Sequence, residues 1–525
     1  MKNIINQHKH YFPTFFLVSI LYSQWDVQYD SHLITTATMS AKVTNVGMLD
    51  WQHSNGSAIR WLNGDEEIIF AHGLWINGMM NDTLIGTTPL WIADYSEGPI
   101  IDGQAATLIQ PEDSSMYRVY HIDQSSNIGD PDYDDWPVQW GAPHYSDGSP
   151  LVIGDQTTFM VYNDAHPGED YRGWPYSGPT YLEIHETIWD YGISPGFENV
   201  LFFRYQIYNR GNYDILDAAI SLWLDVDLYD ATWNLGGYNP NGNFMYNYFS
   251  GIETGILPRA CTYMMLQGPV VPDPDSTAIF FGHIVPDSRN LQTTSGMYVL
   301  SDSYPESDTL MYLPNTMEEL RFISLGLMVN GQPIIHPITQ DTTTFTFDGD
   351  PVNGEGWIFN GYNDTGGSEG EAGFITSTGN FDLLSGDSTE IIYALITAAD
   401  TTYQSALVNL EDQTVQLQSW YNNTNPLSII DENDPLNPGQ INIIKAYPNP
   451  FNATISLEWE NTYSGITQID VFDINGTFIT TITAKYYNQG SHHIKWIPQN
   501  LSSGIYFLSF KTQDIIQVKK ITFLK

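Results

Sequence analysis

ENVLFFRYQIYNRG, residues 198–211, sets Leu201, Phe203, Tyr205 and Ile207 at every second position. That period places all four on one face of a β-strand. The turn-forming NRGNYD comes next, and AAISLWLDVDL, residues 218–228, then alternates Ile220, Leu222 and Leu224. Two alternating runs about such a turn predict a hairpin. FDLLSGDSTEIIYALITA, residues 381–398, gives two more strands about a Ser-Gly-Asp turn. Outward from these runs, Gly, Pro, Asn, Asp, Thr and Tyr cluster between short apolar alternations. The pattern is that of an all-β protein whose body is a large β-sandwich. Two short helices are predicted within it. TMEELRFISLGL opens with Thr316 and Glu319 at capping-box spacing and carries Met317, Leu320, Ile323 and Leu327 on one face. SALVNLEDQTVQLQSWY, residues 405–421, carries Leu407, Leu410, Leu417 and Tyr421 on a helical stripe.

The chain has 525 residues, enough for roughly two to four domains. Apolar residues at 42% and aromatics at 14% argue for packed cores, despite a net charge of -43. The charge reflects a scarcity of bases. No lysine lies between Lys42 and Lys445, and only eight arginines fill that span. From residue 441 onward seven lysines face five acids, so the tail is about +2 and everything before it about -45. Such a body repels phosphate backbones, which argues against nucleic acid as a partner. The single cysteine, Cys261, forms no intramolecular disulfide and sits in RACTYMMLQG, which reads as a buried strand.

At the N-terminus, Lys2 and Lys9 precede the short apolar run TFFLVSILY, residues 14–22, and Ser23. This is the grammar of a secretory signal peptide over 1–23. The run is too short to span a bilayer, and no other apolar run approaches eighteen residues. No transmembrane segment is therefore expected in the mature chain. An acidic β-rich region follows over 24–425, with room for two subdomains divided near 180–195. Residues 426–441 read as a linker. Asn425-Pro426, Asp434-Pro435 and Asn437-Pro438 each turn the preceding residue away from helix.

A new unit then begins at AYPNPFNATISLEW, residues 446–459, where Ile455, Leu457 and Trp459 alternate after a proline turn. QIDVFDINGTFITTI places two strands about Asn475-Gly476, a preferred tight-turn dipeptide. HHIKWIP is another strand. The final stretch, SGIYFLSFKTQDIIQVKKITFL, is a hairpin with Ile505 and Phe507 on one face and Tyr506, Leu508 and Phe510 on the other. Strands filled on both faces demand a second sheet, which gives a small immunoglobulin-like sandwich of about seven strands over 442–525.

Across these roughly eighty residues the chain resembles the type A sorting domain carried by cargo of the bacterial type IX secretion system. The matching elements are Tyr447-Pro448-Asn449-Pro450-Phe451-Asn452, the Val471-Phe472-Asp473-Ile474-Asn475-Gly476 hairpin, and Gly490 before Trp496. Ser503-Gly504-Ile505-Tyr506 and the closing Lys519, Lys520 and Lys525 complete the set. Ala453 stands where a second proline is common, and Trp496 lacks the usual following Asp. The resemblance implies passage through the periplasm and recognition by an outer-membrane translocon and its sorting machinery. The protein would then reside at the cell surface or in the medium. Several body stretches, FAHGLWINGMMNDTL and GDPDYDDWPVQWGAP among them, are similar to an extracellular region that often precedes this domain and carries no assigned activity.

Site chemistry in the body rests on its own residues. Asp130, Asp132 and Asp134, with Asp135, set carboxylates at alternate positions of a loop, the oxygen-rich arrangement that Ca²⁺ favours. No glycine stands at the sixth loop position and no glutamate at the twelfth. Asp225, Asp227 and Asp230 form a second, sparser set. His185-Glu186 lacks the second histidine of a zinc-protease helix, because position 189 is Trp and the surrounding TYLEIHETIWDYG alternates as a strand. Trp136, Trp140 and Trp174, with Trp189 and several tyrosines, lie in turn-rich sequence where exposed rings would stack on sugar faces. Large aromatics equally plug the cores of big sandwiches. The expected body is a structural or adhesive module without catalysis. The alternatives are a carbohydrate-binding protein assisted by calcium, and a hydrolase of extracellular polymers. The latter needs only two positioned acids, which 61 acidic residues do nothing to single out.

Overall fold

The computed structural model describes residues 29–49, 57–61, 66–90, 94–145, 147–167, 175–192, 197–228, 234–249, 256–280, 282–300, 312–359, 372–424, 442–461, 465–473, 478–487, 490–498, 501–511 and 516–525. The expected signal peptide over 1–23 and the linker over 426–441 lie outside them. So do Trp174, Asp230 and Gly476.

Two large antiparallel sheets make the body. The first runs in the order Ser31–Thr35, Met39–Thr44, Ile59–Trp61, Glu67–Met80, Ile215–Val226, Ala372–Leu383 and Ser295–Leu300, with Thr83–Thr87 also paired to Glu67–Met80. The second runs Leu235–Asn239, Phe244–Phe249, Arg259–Gln267, Ser388–Ala399, Val200–Asn209, Leu182–Asp190, Gln156–Asn163 and Ser96–Glu97, with Tyr120–Asp123 also paired to Gln156–Asn163. Within the span where two subdomains would divide, Leu182–Asp190 is a strand of the second sheet, bonded to Gln156–Asn163 on one side and Val200–Asn209 on the other.

The core lies between the sheets. Leu201, Phe203, Tyr205 and Ile207 from the second face Ile220, Leu222 and Leu224 from the first, and all are buried. Their alternation selects the inward face as expected. The hairpin between 198–211 and 218–228 is corrected. Val200–Asn209 pairs with Leu182–Asp190 and Ser388–Ala399, whereas Ile215–Val226 pairs with Glu67–Met80 and Ala372–Leu383. The turn carries the chain from one sheet to the other. The strands about Ser-Gly-Asp do the same, since Ala372–Leu383 and Ser388–Ala399 lie in opposite sheets. The two arches bond to each other. Asn209 donates its N–H to the Asp387 carbonyl at 2.9 Å and accepts from Gly386 N–H at 2.9 Å. Its side-chain amide adds bonds to the Leu383 and Tyr213 carbonyls. Strands buried on both faces have no solvent side, so alternation sets their orientation while long-range packing sets their neighbours.

Each sheet's outer face is covered by one of the expected helices. Met317–Ser324 packs Leu320 and Ile323 on Trp75, Trp223 and Ile375. Its Thr316 hydroxyl accepts Glu319 N–H at 3.2 Å, while the Glu319 carboxylate takes Asn315 N–H at 2.7 Å. Tyr403–Thr424 lays Leu407, Leu410, Leu417 and Tyr421 over Phe202, Ala394 and Ile396. No helix among the described residues is long and apolar enough to cross a membrane.

Residues from 442 onward form their own sandwich of seven strands. Asn442–Tyr447, Ile455–Asn461 and Gly490–Trp496 make a three-stranded sheet. Phe478–Tyr487, Gly465–Phe472, Gly504–Lys511 and Ile516–Phe523 make a four-stranded one. A separate core of Phe451, Ile455, Leu457, Trp459, Ile469, Val471, Leu508, Phe510 and Ile521 lies between them. The second sheet covers only the Tyr506, Leu508 and Phe510 face of the last hairpin. The opposite face carries Ile505, which is exposed, and Phe507, which is half-buried.

Candidate functional site

The proline motif of the tail is a splice between sheets. Pro448 and Pro450 have no N–H to donate, so the ladder of Asn442–Tyr447 cannot continue through them. Both X-Pro bonds are cis. Between them the Asn449 side chain takes over the work of a backbone amide. Its Oδ1 accepts Thr522 N–H at 2.8 Å, and its Nδ2 donates to the Lys520 carbonyl at 3.1 Å. Only a side-chain amide offers one donor group and one acceptor in this spacing. Phe451 resumes true backbone pairing, donating to the Thr522 carbonyl at 2.9 Å and accepting from Leu524 N–H at 2.7 Å. Its ring is buried against Phe523 and Trp496.

The remaining motif residues divide into two sets. Tyr506 is buried and donates its hydroxyl to the Ser502 carbonyl at 2.9 Å. Gly490 opens its strand at φ +118°, a conformation that favours glycine, with open space where a Cβ would point. Gly504 starts the strand that carries Tyr506. Tyr447, Asn452, Lys520 and Lys525 are exposed, and Lys519 is half-buried. Tyr447 donates to Glu458, and Lys525 N–H donates to Ser503 Oγ at 2.8 Å.

In the body, the Asp130 carboxylates do not converge. Asp132 accepts Arg118 Nε at 3.0 Å and His121 N–H at 3.0 Å, and Asp135 accepts a second Arg118 nitrogen at 3.3 Å. Asp134 accepts Gly129 N–H at 3.1 Å, and Asp130 accepts Asn127 N–H at 2.8 Å. The segment is a short helix, Pro131–Asp134, tied down by one arginine. Asp225 and Asp227 are buried at the end of Ile215–Val226. Among the described residues no three His, Cys, Asp or Glu side chains are grouped to hold a metal ion.

The nominated tryptophans are largely packing elements. Trp136 is buried beside Tyr120 and Phe159, and its indole N–H donates to the Pro143 carbonyl at 2.7 Å. Trp189 is buried and stacked on Phe202 with centroids 5.1 Å apart. Trp140 is half-buried, tilted against Tyr117.

Of the buried ionic groups, the sequence drew attention only to His185 and Glu186. Glu183 is a hub that accepts Ile100 N–H at 2.6 Å, His185 Nε2 at 2.8 Å and Arg210 Nη2 at 2.8 Å. Burial pushes its carboxyl up, but His185, Ile100 and Arg210 together outweigh that and hold it below its ordinary value. Arg204 donates to Glu390 at 2.6 Å, Gln267 donates to the other Glu390 oxygen at 2.6 Å, and Tyr421 donates to Gln267 at 2.9 Å. On the inward face, Glu186 accepts the Tyr162 hydroxyl at 2.9 Å. Burial pushes its carboxyl up to about 8. The alternation of Glu183, His185 and Thr187 along LEIHETIWD imitates a solvated strand face, which hid their burial. A cleft of about 250 Å³ is lined by Tyr238, Phe244, Tyr246, Asp350 and Glu411 among others, with the three aromatic residues largely buried.

No curated protein matches the sequence. The chain aligns over 95% of its length with a polysaccharide lyase structure at 8% identity and a TM-score of 0.23, spanning 46% of that protein. It also aligns with 81% of the BSP domain of a biofilm-associated protein, at 9% identity and a TM-score of 0.13. Neither likeness carries an argument about the body. The match that does inform is local: residues 445–523 fit the model of the secretion system C-terminal sorting domain. Its bounds coincide with the separately cored seven-stranded unit and include the Asn449 splice. The tail of this chain accordingly belongs to the type IX secretion C-terminal sorting domains, and the protein is cargo exported across the outer membrane to the cell surface or the extracellular space.

Proposed function

We propose that the body, residues 29–424, is a non-catalytic structural or adhesive module displayed outside the cell, and that its sorting domain serves only to bring it there. The observation that carries this reading is how the body's reactive and aromatic groups are used. Trp136 and Trp189 fill cores, the Asp130 carboxylates bond to Arg118 and backbone N–H groups, Glu183 bonds to Ile100, His185 and Arg210, and Arg204 bonds to Glu390. Groups committed in this way stiffen a scaffold and leave little chemistry for a substrate. The test is attachment of cells carrying the full chain, against cells lacking it, to surfaces and to neighbouring cells. Reduced attachment without the chain, unchanged when Asp350 and Glu411 are neutralised, is expected. Turnover of an extracellular polymer by purified protein would overturn the reading.

A second reading, carbohydrate binding, is favoured by one feature, the cleft at Tyr238, Phe244, Tyr246, Asp350 and Glu411. Aromatic rings and carboxylates in one lining suit a polyhydroxylated ligand. A glycan array probed with the purified chain, with and without Ca²⁺, separates the two readings. Binding lost in Tyr246→Ala would select the second.

A further inference from the structure

We infer that the outer face of the four-stranded sheet in the sorting domain is the surface gripped by the secretion machinery, through a receptor protein with an apolar groove rimmed by carboxylates. This rests on the export reading above and assigns it a place. Register builds the face. Phe478 lies opposite Phe472, Phe472 opposite Phe507, and Phe507 opposite Lys520. Residues directly opposite in antiparallel strands share a face. Three phenylalanines and a lysine thus form one row across all four strands. The Phe472 and Phe478 rings meet edge to face with centroids 5.9 Å apart. Ile505 lies opposite Thr522 in the next row, with Leu524 just beyond.

None of these side chains belongs to the domain core, whose residues Ile469, Val471, Leu508 and Phe510 alternate with them and point inward. Phe478 is 54% exposed, Leu524 51% and Ile505 37%. A small sandwich needs one buried face per sheet. A second aromatic face adds nothing to its core and, left in water, is a liability. Aromatic side chains clustered with a cation are the composition of protein-binding hot spots.

The charge selects the occupant. Lys520 ends the row and is exposed, and Lys525 is tied beside Ile505's strand through Ser503. The tail is about +2, and the cargo before it about -45. A carboxylate rim on the receptor attracts the former and repels the latter, so it presents the label and turns the cargo outward. A second copy of the chain fits poorly, because it would set lysine row-ends together and bring two strongly negative bodies side by side.

The test uses the full chain in a cell with a working type IX system, comparing surface and medium with retained protein. Phe478→Ser and Lys520→Glu alter exposed positions. Each is expected to lower export about ten-fold or more with the unfolding midpoint within about 2 °C of the parent. Phe478→Tyr is expected to retain export. If Phe478→Ser impairs folding, Lys520→Glu alone decides. Parental export by Lys520→Glu and by a folded Phe478→Ser, alongside lost export on deleting 442–525, overturns the inference and leaves the sorting reading standing. Unchanged export on that deletion overturns the sorting reading itself. Export at the parental level with a dimer broken by Phe478→Ser would assign the face to a second copy and also overturn the inference.

Discussion

Replacing Glu186 with glutamine removes one titrating proton from the interior of the body and keeps the shape and the acceptor for Tyr162. In the folded chain burial raises this carboxyl from 4.5 to about 8, and the Tyr162 hydrogen bond offsets only part of the rise. The unfolded chain releases its proton near the ordinary value, while the native chain holds it until about 8. Stability contributed by this group is therefore complete below about pH 4.5 and is lost as the pH climbs through 8. Each pH unit across that window is worth about 1.4 kcal/mol, so the whole span comes to about 4–5 kcal/mol as an upper bound. Glutamine does not titrate, and its variant should gain on the parent by roughly 1 kcal/mol per pH unit from 5 to 8. Urea unfolding of both proteins from pH 4.5 to 8.5 measures this. Asp164, raised to about 7 by burial, and Asp190, raised to about 6, titrate in the same window and move both proteins alike, so the difference isolates Glu186. Two parallel stability curves would refute the reasoning and mean that Glu186 is solvated or charged in the native body.

Three further outcomes are expected. Asn449→Ala removes both bonds to the final strand, at a cost of about 1–3 kcal/mol, and should lower the sorting domain's melting transition by about 5–15 °C in calorimetry. Asn449→Asp, which keeps the acceptor but sets a carboxylate against the Lys520 carbonyl, should fall at least as far. Arg204→Met leaves the fully buried Glu390 without its cation and should cost about 3–5 kcal/mol in urea unfolding, while Arg204→Met with Glu390→Leu should recover most of it. Cys261 is buried, and its thiol is pushed far above its ordinary value by that burial. Mass spectrometry should find it unmodified by iodoacetamide in native protein and fully modified in urea.

Much of the architecture could be read from alternation alone. The inward faces of 198–211 and 218–228, the apolar stripes of both helices and the strands of the tail follow from residue spacing, because periodicity reports which side of an element meets apolar neighbours. Partnership between strands did not follow. Val200–Asn209 and Ile215–Val226 are adjacent in sequence and belong to opposite sheets, a choice made by packing partners more than a hundred residues away. The ion pair of Arg204 and Glu390, 186 residues apart, leaves no local trace. Trp136 and Trp189 look alike whether they plug a core or line a groove, and only the surrounding cover distinguishes the two. In the tail, apolar residues on both faces of the last hairpin called for a second sheet, and one lies over the Tyr506, Leu508 and Phe510 face, while Phe478 and Ile505 stand exposed on the other.

The Asn449 splice also ties the proline motif to a strand made much later. Its partners Lys520 and Thr522 lie 71 and 73 positions further along the chain. During synthesis the motif therefore has nothing to clasp until Ile516–Phe523 has emerged. The address fastens late, and what has been translated before that strand carries the signature without the lock.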